Sequence, residues 1–187
     1  MFNLKCGLKE MLLKTGENQK ATKLAGWTYG GYEEFVLANG KQFTAGPFPT
    51  KYQDAKSKEQ DCHRNAFYLA DEYPHKLKYV EGFATTRRFP NFVCSHAWCS
   101  DGDNAIDPTW KDAGLEYYGV PFALAYVCKT MAEKESFGVL ENWECQHPLL
   151  RGADENWRAK VSAPRFVFAN IFTPIKINNL FHKSYKI

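Results

Sequence analysis

The segment that most limits what this chain can fold into is residues 62–73, CHRNAFYLADEY. Ala66, Leu69 and Ala70 fall at helical spacing on the side that carries Cys62, and Pro74 stops the run. Asp61 stands where a helix is capped. Three strand-like segments follow with no second helix among them. LKYVEGFAT (77–85) is rich in β-branched and aromatic residues, FVCSHAWCS (92–100) follows a Pro-Asn break, and AIDPTW (105–110) opens a third strand that Pro108 ends. The turn residues DGDN (101–104) join the last two. A helix followed by strand, strand, turn and strand predicts an α+β fold, with that helix packed on an antiparallel sheet.

The flanks are read by the same rules. Leu4, Leu8, Met11 and Leu12 predict a short amphipathic helix within 4–14, and WTYGG (27–31) predicts a turn. Phe35-Val36-Leu37, then Asn39-Gly40, then Gln42-Phe43-Thr44 predict a β-hairpin that Pro47 and Pro49 end. Residues 51–61 are polar and read as a loop or exposed helical turn. YYGVPFAL (117–124) is apolar enough to pack on the core, 122–134 reads as helix, and 164–177 as one or two strands. Residues 141–158 have no clear period, though Trp143, His147 and Trp157 there are candidates for substrate walls. No repeat or linker divides the chain, so one domain over 1–187 is expected, with its recognisable core at about 60–122.

Composition excludes some classes of function. A hydrophobic fraction of 44% with 16% aromatics is too apolar for a disordered chain. A net charge of +3, with Lys and Arg densest in 51–64 and at the end, lacks the basic face that nucleic acid requires. No apolar run approaches the ~20 residues of a transmembrane helix. The start, MFNLKCGLKEMLLK, has neither an unbroken apolar stretch nor a small-residue cleavage site, so a cytoplasmic protein is expected. The six cysteines (6, 62, 94, 99, 128 and 145) are then read as free thiols.

Three residues carry a chemical pattern. Cys62 lies at a helix start, where unpaired N–H groups and the helix dipole favour thiolate and can stabilise an oxyanion on an attacked acyl carbon. His96 lies mid-strand, sharing a face with Cys94 and Trp98 by period two, and an imidazole beside a thiolate can serve as base and then as acid. Asp107 lies on the next strand. If the turn centres near 101–102, residue 96 faces 107 directly, and a carboxylate there orients the imidazole. Each residue also has an ordinary structural use: a buried thiol, a hydrogen-bonded core histidine, an aspartate before proline.

The segments DCHRNAFYLA (61–70), YVEGFA (79–84), SHAWC (95–99) and DNAIDPTW (103–110) together resemble the transglutaminase-like core of the papain-like superfamily. With YYGVPF (117–122) they also resemble phage and bacterial proteins of that class. The resemblance implies a papain-like fold in which Cys62, His96 and Asp107 are nucleophile, base and orienting acid. It implies acyl transfer from an amide, ester or thioester, with hydrolysis or deamidation ahead of crosslinking, and a host-directed role. The substrate is then a protein, a peptide or a small amide or acyl compound, with no metal or organic cofactor and no nucleic-acid or membrane partner. Many relatives carry Trp or Gly before the nucleophile where this chain has Asp61, whose charge raises a thiol pKa unless it caps the helix. Gln60 and Gln53, and more weakly Tyr52, are candidates for the second oxyanion donor. Asn65, one turn after Cys62, is a candidate to line the cleft, and Trp98 either walls the site or fills the core.

Two other functions compete: a catalytically idle binding protein on the same fold, and a zinc module drawing on Cys62, His63, Cys94, His96 and Cys99. Against zinc, Cys94 and His96 sit in a strand and Cys99 alternates to its other face.

Overall fold

The computed structural model describes residues 7–53, 60–110, 112–152 and 156–159. It is a mixed α+β structure built on a curled five-stranded antiparallel sheet. The helices are α1 (Leu8–Ala21), α2 (Tyr32–Asn39), α3 (Cys62–Glu72), α4 (Leu124–Lys134) and the single turn α5 (Pro148–Arg151). The strands are β1 (Lys41–Phe43), β2 (Lys78–Thr85), β3 (Cys94–Ser100), β4 (Ala105–Ile106) and β5 (Glu116–Phe122), in the spatial order β1-β5-β2-β3-β4. The strands expected at 164–177 lie outside the described residues, as do residues 4–6, Cys6 among them, of the helix expected at 4–14.

The sheet curls until its two edges meet. Beyond β1, Thr44 N donates to Asp103 O at 2.7 Å, and Ala105 N at the start of β4 donates to Thr44 O at 2.9 Å. Phe43, Val80, Ala84, Trp98, Ala105 and Tyr117 fill the inside of the curl. The outer face, carrying Tyr79, Phe83, Ala97, Cys99, Tyr118, Val120 and Phe122, packs in the larger core with Leu8 and Leu12 of α1, Phe35 and Val36 of α2, and Ala66, Leu69 and Ala70 of α3. Both faces are therefore covered. That is why β2 is buried over nearly its whole length and does not read as an alternating strand.

Two glycines make room inside the curl. Gly82 of β2 stands between His96 of β3 and Gly119 of β5 in the register. A Cβ on Gly119 would lie 2.6 Å from the Trp98 ring, and one on Gly82 would lie 2.3 Å from Tyr118 O. The wholly buried Trp98 indole occupies the space that Gly119 leaves, and Gly82 lets β2 and β5 approach closely. Burial of a ring that size contributes about 5 kcal/mol.

Residues 35–44 are a correction. They form the end of α2, then β1, rather than a hairpin about Asn39-Gly40. Phe35 and Val36 are both buried, and consecutive residues share one side of a helix but point to opposite faces of a strand. The N-terminus of α2 is secured by Glu34, which accepts from Gly30 N at 2.6 Å, and by Gln19 of α1, whose Oε1 accepts from Glu34 N at 3.2 Å. Gly40 is extended, and its value is close approach: a Cβ there would lie 2.5 Å from Gly119 O.

Gly82→Ala should destabilise the protein by about 3 kcal/mol, since the methyl meets backbone that cannot move aside. A urea melt whose midpoint falls with its slope unchanged would bear this out, and an unchanged midpoint would refute the packing argument.

Candidate active site

Cys62 opens α3 at one rim of the curled sheet. Asp61 does not cap this helix: its φ and ψ of −120° and 56° depart from the extended form of a capping residue, and its carboxylate pairs with Arg64 at 3.6 Å instead. Its link to the helix backbone is through its carbonyl, which accepts from Asn65 N at 2.9 Å. The first-turn amides of α3 are thus not taken up by the Asp61 side chain, and they face the Cys62 end of the helix dipole.

His96 comes from the inner face of β3 and is 3% exposed. Its Nε2 is 2.7 Å from Asp107 Oδ2. Its ring lies flat against Trp110, with centroids 3.9 Å apart and planes 13° apart, and Trp98 lies beyond at 6.2 Å and 21°. With Nε2 committed to Asp107, Nδ1 is the nitrogen left for the Cys62 sulfur, and the two groups shift each other's pKa.

Asp107 arrives by a different register from the one expected. Cys99 pairs with Ile106 and Ser100 with Ala105, which sets position 107 opposite 98 rather than 96. The link between the strands takes all four residues 101–104, so the pairing shifts by two and β4 ends before Asp107. A shift of two preserves the face, and the carboxylate reaches His96 diagonally. It is saturated there. Oδ1 accepts from Thr109 N at 2.8 Å and Trp110 N at 3.2 Å, while Oδ2 accepts from Tyr117 Oη at 2.9 Å beside the His96 contact.

The charges follow from these contacts. Burial by itself raises the Cys62 pKa, but hydrogen bonds from His63 and His96, with their positive charge, outweigh it and bring it down to about 6. Burial depresses His96, yet its bonds to Asp107 and Cys62 outweigh that and raise it to about 9. Burial pushes Asp107 up, and the His96 bond and charge, with the Thr109 amide and the Tyr117 hydroxyl, carry it below the usual carboxylate range. Between about 6 and 9 the pair is therefore thiolate and imidazolium.

His63 is the second neighbour of the sulfur. Its Nδ1 is 3.5 Å from Cys62 Sγ, and its Nε2 is 3.8 Å from Oε2 of Glu81, a 1%-exposed residue on the outer face of β2. Glu81 also accepts from Tyr79 Oη at 2.5 Å, Val139 N at 2.7 Å and Leu140 N at 2.8 Å.

Cys62 and His96 open into a cleft of about 1190 Å³ that Phe48, Trp110, Arg87, Arg88, Gln53 and Gln60 also line. Both glutamines are exposed, and Gln60, just ahead of Asp61, has a φ of 65°. The other candidates are elsewhere. Asn65 is buried and donates to Thr109 Oγ1 at 3.1 Å, tying α3 to the loop that holds Asp107 instead of facing the cleft. Tyr52 is buried with its ring 4.8 Å from Tyr73. Trp98 is core. Trp157 packs between Phe35 and Phe122, His147 Nδ1 lies 2.7 Å from Tyr32 Oη, and Trp143 is exposed; none of the three lines the cleft.

The zinc set is split. Cys99 turns into the outer core, its thiol donating to Ala66 O at 3.1 Å, and burial pushes its pKa far up. Among the described residues no three of His, Cys, Asp and Glu are grouped to hold a metal ion.

Three site residues escaped the sequence reading, Glu81, Trp110 and Tyr117, and His63 entered it only as a zinc ligand. Glu81 left a signal, a lone charge inside the apolar strand YVEGFA, which demands a buried partner. The Asp107 turn left another, since Asp-Pro-Thr-Trp sets two amides behind a carboxylate. Trp110 and Tyr117 left none. Family models, curated proteins and solved structures yield no match to this chain.

Asp107→Asn keeps an acceptor for the Thr109 and Trp110 amides but removes the charge facing His96. The His96 imidazolium should then lose its proton well below the wild-type value of about 9, towards the ordinary histidine range, at a stability cost of about 3 kcal/mol. Ring-proton NMR titration of wild type and variant checks the shift; identical His96 titrations would refute the assigned contact.

Proposed function

We propose that the chain is a cysteine-dependent acyl-transfer enzyme of the transglutaminase-like, papain-like class, hydrolysing or deamidating an amide, ester or thioester in preference to crosslinking. The observation that carries this reading is the His96 ring. Clamped at Nε2 by Asp107 and held flat by Trp110, it offers its other nitrogen to a helix-start thiol at the wall of an open cleft.

The chemistry follows from that arrangement. The Cys62 thiolate attacks the acyl carbon and forms the C–S bond. The oxyanion is met by the Cys62 N–H at the start of α3, with Gln53 and Gln60 on the cleft wall as candidate second donors. As the C–N, C–O or C–S bond of the substrate breaks, His96 gives its proton to the leaving group. Neutral His96 then takes a proton from water, which attacks the acyl-enzyme and releases the acid, and the electron pair returns to sulfur. Asp107 keeps the ring oriented and balances its charge at each stage. The substrate is a protein, a peptide or a small amide or acyl compound, and a cytoplasmic, host-directed role belongs to the same proposal. No helix among the described residues is long and apolar enough to cross a membrane.

The sign of the pH dependence is fixed by the two shifts. Thiolate appears as pH rises through about 6 and imidazolium is lost as it rises through about 9, so acylation by an amide or ester should be bell-shaped between those limits. Alkylation of Cys62 by iodoacetamide, followed by peptide mass spectrometry, should show only the lower limb, and His96→Ala should move that limb upward. A Cys62 that reacts no faster than the other cysteines in both proteins would leave an idle fold and overturn the enzyme reading.

A further inference from the structure

Two histidine–carboxylate pairs flank the same sulfur, and they come from opposite faces of the sheet. In the β2–β3 register His96 pairs with Gly82 on the inner face, while Glu81, one residue earlier, faces outward. Cys62 stands at the rim where both faces end, with His96 and Asp107 on one side and His63 and Glu81 on the other. Only His96 lines the cleft. His63 lies under Gly138, where an added Cβ would meet its Cδ2 at 3.1 Å, and Glu81 pins the neighbouring Val139 and Leu140 amides. The carboxylate is buried with two backbone donors and one hydroxyl, so the nearby imidazole is its one cationic neighbour among the contacts described.

We propose that His63, anchored by Glu81, is a second, fixed cation for the Cys62 sulfur, so that the site divides its work: His96 moves the proton and His63 holds the charge. This rests on the thiolate reading above and adds a positioning residue to it. The need arises when His96 has given its proton to the leaving group. The neutral imidazole then draws a proton from water, the oxygen–carbon bond forms, the C–S bond breaks, and the sulfur leaves with the electron pair. His63 neither gains nor loses a proton in these steps. Its charge favours thiolate both as the nucleophile and as the leaving group.

The groups facing His63 are Cys62 on α3, Glu81 on β2 and Glu141 beyond the 138–140 segment, all of which favour its protonated form against the burial that opposes it. Those facing the sulfur are His63, His96 of β3, Cys94 of β3 and Tyr79 of β2.

The test is the pH dependence of iodoacetamide alkylation at Cys62 in wild type, His63→Gln, His96→Ala and the double variant, with Glu81→Gln as a second route to the same loss. His63→Gln should lower the rate at pH 5 about tenfold by moving the limb upward, and the double variant should titrate like a free thiol near ~8.5. Glu81→Gln, if it folds, should lower reactivity in the same direction. A structural role alone would lower the melting temperature and leave the limb in place. A wild-type limb near 6 that His96→Ala moves and His63→Gln does not would overturn the role of His63 while keeping the enzyme reading. A wild-type limb already at the free-thiol position would overturn both.

Discussion

The Asp107 carboxylate is the contact on which the site depends. A buried carboxylate is tolerated only when its lone pairs are met, and here four donors meet it: two amides of its own turn, the Tyr117 hydroxyl and His96. These partners come from three places in the chain, the loop after β4, strand β5 and strand β3. One side chain therefore locks the loop to the sheet and fixes the tautomer and tilt of the imidazole. The same loop delivers Trp110 to the His96 ring, and its Thr109 hydroxyl receives Asn65 from α3. The helix that carries the thiol and the loop that carries the acid are thus braced against each other.

The curl of the sheet determines what that bracing can reach. A flat sheet would leave the inner side of β3 open to water. Closing β1 onto the start of β4 seals it, and the enclosed space is filled by Trp98, Tyr117 and Phe43. The cost is that two strands must dispense with side chains at Gly82 and Gly119. The gain is a rigid aromatic floor under His96. With Trp110 stacked on it at 3.9 Å and Nε2 bound to Asp107, the ring keeps little freedom to turn.

Much of this architecture was legible in the residues. The apolar spacing of 62–73 and its terminating proline determine α3, because a helix with one apolar side has one way to face a core. Segments 77–85 and 92–100 read as strands through their β-branched and aromatic content, and 122–134 reads as the helix that becomes α4. Cys62 and His96 were legible because residue type and element type coincided for each, and Asp107 through its face, although it stands in the loop after β4 and not on the strand. The α2 region was not legible. Asn39-Gly40 is the strongest local hairpin signal, and it was overridden because Phe35 and Val36 both had to be buried on one side, a demand that exists only once α1 and the sheet are assembled.

By itself the sequence determined the element types around the thiol and the face on which His96 and Asp107 lie, since side-chain direction follows local periodicity. Tertiary structure decided the rest. Register depends on how many residues a turn consumes, so Asp107 met His96 diagonally instead of directly. Closure of the sheet depends on the twist accumulated over five strands, which no window of sequence contains. The pairing of His63 with Glu81 joins two elements whose proximity only packing creates, and Asn65 was drawn from the cleft to Thr109 for the same reason. Periodicity states which way a side chain points; only the folded chain states what it points at.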